Sequence, residues 1–263
     1  MRKRDMLSRM AHPDGSVRAK IKRAGEHLRQ LKSETDAWAE TRKYSFRAEI
    51  ERQPDRWDAF TIFAVADEPE IDPPLHIGTV MGDVAHNLRS ALDHLICGLT
   101  GGQCDGTQFP ICDTKKGWGI EIKKGRLAGV DTRYWATIER AQPYHGRITG
   151  RALKAIREWS NADKHRTLNP MTAASPLRAP VFTPPDAILE LDIGPLGWVE
   201  MKDGAEMMRF RVRLRPGVPN VNVNLDQSFT IAFGERYPIA LQDVIRVRTI
   251  VSRLARRIER LAP

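Results

Sequence analysis

Residues 76–99, HIGTVMGDVAHNLRSALDHLICGL, decide how the whole chain is read. At about 100° per residue, Ile77, Met81, Val84, Leu88, Ala91, Leu92, Leu95, Ile96 and Leu99 fall on one arc, the period of a helix whose apolar face meets a core. The opposite arc holds Asp83, His86, Asn87, Arg89, Ser90, Asp93 and His94, with no Lys or Glu among them. A solvated helix face normally fills with Glu, Lys and Gln, which are better helix formers than Asn, Asp, Ser and His. Local propensity has been given up for polar chemistry, as happens where a site or a buried polar network demands it. This arc is the leading site candidate. It is expected to turn away from water towards residues 161–166, because buried polar groups must find partners.

Upstream, Val17, Ile21, Ala24, Leu28, Leu31, Thr35 and Trp38 predict an amphipathic helix over 15–41. Residues 44–51 and 57–65 predict an antiparallel hairpin turned at Gln53-Pro54-Asp55, and the acid- and proline-rich 67–74 a linker into the central helix. Downstream, Gly98, Gly101 and Gly102 stop that helix, and Phe109-Pro110-Ile111 returns an apolar loop to the core. Helices are predicted over 115–125, 131–140 and 149–162, the last two separated by Gln142-Pro143-Tyr144-His145-Gly146. Residues 171–186, with Pro176, Pro180, Pro184 and Pro185, read as a linker. Strands follow over 187–193, 198–201, 206–214 and 221–233, with Asp203-Gly204 as a hairpin turn. A last helix starts at Pro238 and keeps Val244, Val247, Val251, Leu254, Ile258 and Leu261 in register. The expected class is α+β: a helical core with an N-terminal β-hairpin over 1–170, the linker, then an antiparallel β-meander and a long C-terminal helix over 187–263 packed on that core.

A chain of 263 residues that is 41% hydrophobic supports a real core. No apolar run approaches the roughly 18 residues that span a bilayer, and the start, MRKRDMLSRMAHP, lacks the apolar segment of a secretory signal. A cytoplasmic protein with no membrane partner is expected. Cys97, Cys104 and Cys112 are odd in number and match no zinc or thioredoxin-like spacing, so neither a disulfide framework nor a cysteine metal site is expected. The formal charge of +9, from 42 Lys and Arg against 33 Asp and Glu, points to a polyanionic partner, RNA foremost. Solubility is the competing explanation of that charge.

Arg89-Ser90-Ala91-Leu92-Asp93-His94 places an arginine and a histidine on one helix with four residues between them. It resembles the Arg-x4-6-His signature of the HEPN superfamily, helical proteins many of which are metal-independent ribonucleases acting as dimers. The resemblance implies a HEPN-like helical bundle with Arg89 and His94 as catalytic pair; Asn87, Asp93 and His165 are expected in support, and no cofactor is expected. The chemistry is coherent: a histidine titrating near neutral pH moves protons at the 2′-hydroxyl and the leaving oxygen, and an arginine fork neutralises the phosphorane. Ser90 departs from the Asn, His or Asp that more often follows the arginine. Five residues also set the pair about 140° apart around the helix, so Arg89 must reach around it or a homodimer partner must contribute. The competing account pairs Arg89 with Asp93 one turn on. A wider set of segments, residues 86–95 with Phe109-Pro110-Ile111, residues 142–145 and residues 161–166, resembles a group of uncharacterised bacterial proteins. That likeness implies that the pieces belong together and brings no activity with it.

Asp163-Lys164-His165-Arg166 is a second constellation. His165 supplies a second proton-transfer candidate and Lys164 and Arg166 supply phosphate contacts, although basic residues at a helix C-terminus also suit the helix dipole. Tyr144 and His145 are binding candidates on a loop. A metal site would need His86 or His94 with His145, His165 and Asp83. His86 and His94 lie roughly 12 Å apart along the helix axis, too far to share one ion, and no metal is expected. On the last helix Arg246, Arg253, Arg257 and Arg260 share a face with Arg256 beside it, and Arg253 and Arg257 are the candidate phosphate contacts; a solvated face is the alternative. The leading expectation is a metal-independent endoribonuclease. Its rival is a non-catalytic nucleic-acid-binding or regulatory protein in which the polar arc is structural.

Overall fold

In the computed structural model the described residues are 14–41, 44–52, 57–66, 72–102, 104–165, 168, 170–174, 180–194, 199–217, 221–224, 229–233 and 239–261. They form an α+β protein whose elements are α1 (Asp14–Glu40), β1 (Tyr44–Arg52), β2 (Trp57–Ala66), α2 (Leu75–Leu99), α3 (Lys115–Lys123), α4 (Thr132–Arg140), α5 (Ile148–His165), β3 (Pro170–Ala174), β4 (Val181–Thr183), β5 (Ile188–Ile193), β6 (Val199–Glu200), β7 (Glu206–Leu214), β8 (Asn222–Asn224), β9 (Phe229–Phe233), β10 (Ile239–Ala240) and α6 (Leu241–Glu259). The N-terminal hairpin, the helical core, and the later antiparallel strands followed by a long helix stand as the hydrophobic periodicities predict.

The chain divides into two compact units, each built from separated segments. One takes residues 1–32, 76–168 and 242–263 and is helical. The other takes 33–75 and 169–241 and holds the strands. This corrects the division at 170 and 186. The hairpin belongs with the later strands and α6 with the helices, because β2 pairs antiparallel with β7 from Trp57↔Arg213 to Phe63↔Glu206. Alternation along a strand names its buried face but not the distant strand that completes its hydrogen bonds.

In the strand unit one sheet runs β1-β2-β7-β5 and another β10-β9-β3-β6, with β4 and β8 paired alone. Phe60, Ile62 and Ala64 of β2 and Met208, Phe210 and Val212 of β7 share the inner face, where the Phe60 and Phe210 rings stack at 5.2 Å. The 171–186 segment is not a linker: it carries β3, paired with β9, and β4, paired with β8. Asp203-Gly204 does turn the chain, with Gly204 at φ 73°, but the strands it joins lie in different sheets. The turn at 53–56 and the Pro238 start lie outside the described residues.

In the helical unit α2 is the buried axis. Ile77, Met81, Val84, Leu88, Leu92, Leu95 and Ile96 are all shielded, as the apolar arc requires. Val17, Ile21, Ala24 and Leu28 of α1, Ile138 of α4, Leu153 and Ile156 of α5 and Val244, Val251 and Ile258 of α6 supply the same unit's core. α5 meets the segment before it at Gly150, where a Cβ would stand 2.7 Å from both the Gln142 carbonyl and Pro143 Cα. Only glycine permits that approach. Cys97 and Cys104 form a disulfide with Cα atoms 4.8 Å apart, against the expectation of no such pairing. Spacing rules describe multi-bridge frameworks, and a single bridge across a glycine-rich helix end leaves no such pattern. Among the described residues, no helix is long and apolar enough to cross a membrane.

Candidate functional site

The polar arc of α2 is tied to the irregular segment that follows it. Arg89 donates from Nε to Asp93 Oδ2 at 3.2 Å and from Nη2 to Asp93 Oδ1 at 3.0 Å, and the same Nη2 donates to the Phe109 carbonyl at 2.9 Å. The Phe109 amide in turn donates to Asp93 Oδ1 at 3.0 Å. Two side chains one helical turn apart thus satisfy both backbone groups of Phe109, whose ring is fully buried. Burial pulls the Arg89 guanidinium below its ordinary value, while the Asp93 carboxylate beside it favours the charged form.

The next residues are held the same way. Gln142, with no exposed surface, accepts from the Cys112 amide at 2.9 Å and donates to the Pro110 and Ile138 carbonyls at 2.9 and 3.0 Å. Arg157 donates to the Ile111 carbonyl at 3.1 Å and to Asp113 at 2.6 Å. An extended, half-buried segment has no ladder to satisfy its backbone, so side chains must do it. This scaffold joins Arg89 and Asp93 to residues 109–113, Gln142 and Arg157. Around it lies a cleft of about 220 Å³ lined by Arg89, Arg157, Glu121, Ser160 and Asn161. Its carboxylate is already bonded to Lys124 and Arg126.

The other arc residues take different positions. Asn87 is buried and donates to the Asp83 carbonyl at 2.8 Å, inside its own helix and away from the Arg89 pair. His94 is half-buried and makes no hydrogen bond to a described residue; His86 is exposed, 3.4 Å from the Ser90 hydroxyl. The expected turn towards 161–166 is met only in part: the Asp163 carboxylate occupies the space a side chain at Gly82 would need, whereas Arg89 and Asp93 bond the Phe109 loop instead. The side chains of Lys164 and His165, and all of Arg166, lie outside the described residues. Tyr144 donates to Glu139 at 2.9 Å, and Glu139 also pairs with Lys115. Burial first, and then Glu139, pushes the Tyr144 phenol up, while the bonds from Lys115 and Tyr144 hold the Glu139 carboxyl below its usual range. His145 is exposed, its ring 4.4 Å from that of Tyr144. Among the described residues, no three His, Cys, Asp or Glu are grouped to hold a metal.

A second cleft, of about 270 Å³, has a different character. Arg140 from the end of α4, Arg147 just before α5, and Arg253 and Arg257 from α6 line it, with Ile148, Ile250 and Leu254 providing apolar surface. Among the described residues, no carboxylate lines it and none of the four arginines forms an ion pair. Arg253 and Arg257 were legible from helical spacing. Arg140 and Arg147 were not, because they reach the cleft from two other elements. Elsewhere on the same helix Arg246 is bonded to Asp243 at 3.0 Å and Arg256 lines a different groove. Compared with known proteins, the chain matches no family model, no curated protein and no solved structure.

Proposed function

We propose that this is a nucleic-acid-binding protein, with RNA its partner, and that the polar network on α2 is architectural. The observation that carries the reading is the second cleft: four arginines from three segments, with neither a carboxylate in the lining nor an ion pair among the described residues. Guanidinium groups left without counter-charges suit phosphate, to which they present fork-shaped donors. Commitment of the Arg89 fork to Asp93 and Phe109 supports the architectural half. The test is binding of labelled RNA to the purified protein between about 50 and 200 mM salt, across which affinity should fall steeply. Affinity indifferent to salt would remove nucleic acid as the partner. The reading puts the chain in the cytoplasm, although the Cys97–Cys104 disulfide is of a kind that persists in oxidising compartments.

A second reading, the metal-independent ribonuclease, is favoured by one observation: half-buried His94 has no hydrogen bond to a described residue, which leaves its imidazole for proton transfer. It needs Arg89 released from Asp93, or supplied by a second copy of the chain. Incubation with RNA in a chelator separates the readings. The ribonuclease yields 2′,3′-cyclic phosphate ends, spares DNA, and loses roughly 10²-fold in rate or more on His94→Ala; the binding protein leaves the RNA whole.

A further inference from the structure

We infer that the four-arginine cleft is a seat for a terminal phosphate monoester, so that the protein holds an end of an RNA strand in preference to its middle. The inference rests on the RNA-binding reading and names what is bound at the site. A phosphodiester within a strand carries one charge and two free oxygens, and the chain continues from it on both sides. Such a ligand suits an open stripe of cations, where successive phosphates are met one at a time. The arginines here line a concavity, and they approach it from α4, from the segment before α5 and from α6. Four guanidinium charges in one concavity exceed the single charge of a diester by more than they exceed the charge of a monoester. A monoester offers three free oxygens and a charge of roughly −1.5 to −2 near neutral pH, and it enters a concavity end-on.

Two features of the lining agree. The cleft includes Arg147, Ile148 and Thr149, at the N-terminal end of the 18-residue α5. Arg151 is the first amide there to bond back, to the Arg147 carbonyl at 3.0 Å, and the amides of the first turn point out of that end, where the helix dipole adds to the positive field. Ile148 is 62% exposed, an apolar surface beside the arginines on which a terminal base can lie once its phosphate is seated.

The test compares one short RNA oligonucleotide in three forms, with hydroxyls at both ends, with a 5′-phosphate, and with a 3′-phosphate, by fluorescence anisotropy at about 150 mM salt. A phosphate at one end should tighten binding at least tenfold. The gain should fade as pH falls below about 6, where the dianionic monoester takes up a proton and keeps a single negative charge. The Arg140→Ala/Arg253→Ala protein, altered at two exposed side chains, should keep its melting temperature and lose the preference. Equal affinity for all three forms overturns the end-binding inference and leaves RNA binding standing. No binding of any form overturns the RNA reading, and calorimetry with adenosine 5′-monophosphate then decides the chemistry of the cleft. Binding that the double variant abolishes keeps the monoester seat, with a free nucleotide as its source; absence of binding overturns the inference as well.

Discussion

Arg89 joins a helix to a loop with one guanidinium, and its side chain is 13% exposed while that of Asp93 is 30% exposed. A free-standing i,i+4 ion pair of this kind contributes about 0.3–0.5 kcal/mol. Arg89→Ala removes more, because it strips the Phe109 carbonyl and half-buried Asp93 of their partner, and a loss of about 2 kcal/mol in urea unfolding is expected. A loss below about 0.5 kcal/mol would mean that the clamp adds nothing beyond the surface pair. Gln142→Ala should cost about 2–3 kcal/mol, since the buried Pro110 carbonyl and Cys112 amide lose their partner, while the Ile138 carbonyl keeps the Ala141 amide. If Gln142→Ala unfolds at the wild-type urea midpoint, the segment around Pro110 does not depend on side-chain hydrogen bonds. Asn87 and Asp93 are both polar on the same arc, yet one turns in on its own helix and the other holds a loop. Residue type alone does not separate those fates.

Helix packing separates two glycines that composition treats alike. Gly119, inside α3, has no atom within 4 Å of a would-be Cβ, so Gly119→Ala should stabilise by about 0.5–1 kcal/mol through the unfolded chain's entropy. Gly150, in the first turn of α5, faces backbone atoms at 2.7 Å, and Gly150→Ala should destabilise and move α5 off the Gln142-Pro143 segment. Thermal melts of both variants check this, and a stabilised Gly150→Ala would contradict the close approach. The link between that same segment and α4 is sensitive to pH. Tyr144 has its folded pKa raised by burial and by Glu139, so the unfolded chain releases this proton first. The stability it contributes is complete below about pH 10 and is lost as pH rises beyond it. Tyr144→Phe should flatten that alkaline decline in a pH series of melting temperatures, and an unchanged decline would place its cause elsewhere.

At the scale of the whole molecule, the charge of +9 becomes informative only where it is left unpaired. Many arginines are spent locally: Arg209 on Glu206, Arg246 on Asp243, Arg126 on Glu121. On the outer side of the β1-β2-β7-β5 sheet, Arg209 pairs with Glu206 and Arg213 with Glu190. In the four-arginine cleft positive charge stands without a counter-charge from the described lining residues. Replacing Arg253 and Arg257 by Ala should therefore reduce the slope of log affinity against log salt by roughly one for each arginine that no longer meets a phosphate. The same replacement of Arg209 and Arg213 should leave that slope unchanged. A reversed order in the two slopes would move the interface to the strand unit.

The sequence by itself determined the elements. The arc from Ile77 to Leu99, the alternation in 57–65 and 206–214, and the spacing of Val244 to Ile258 are local patterns, set by which residues must leave water once the backbone adopts a given period. It also marked Arg89 and Asp93 as partners one turn apart and Arg253 and Arg257 as sharing a face. Only the tertiary structure decided what those residues meet. That β2 pairs with β7, that α6 belongs with the helices, that Arg89 reaches Phe109 and that Arg140 and Arg147 join Arg253 are consequences of long-range packing. Periodicity records the direction in which a side chain points along its own element. What lies in that direction depends on how distant segments bury their apolar faces together, which no local pattern encodes.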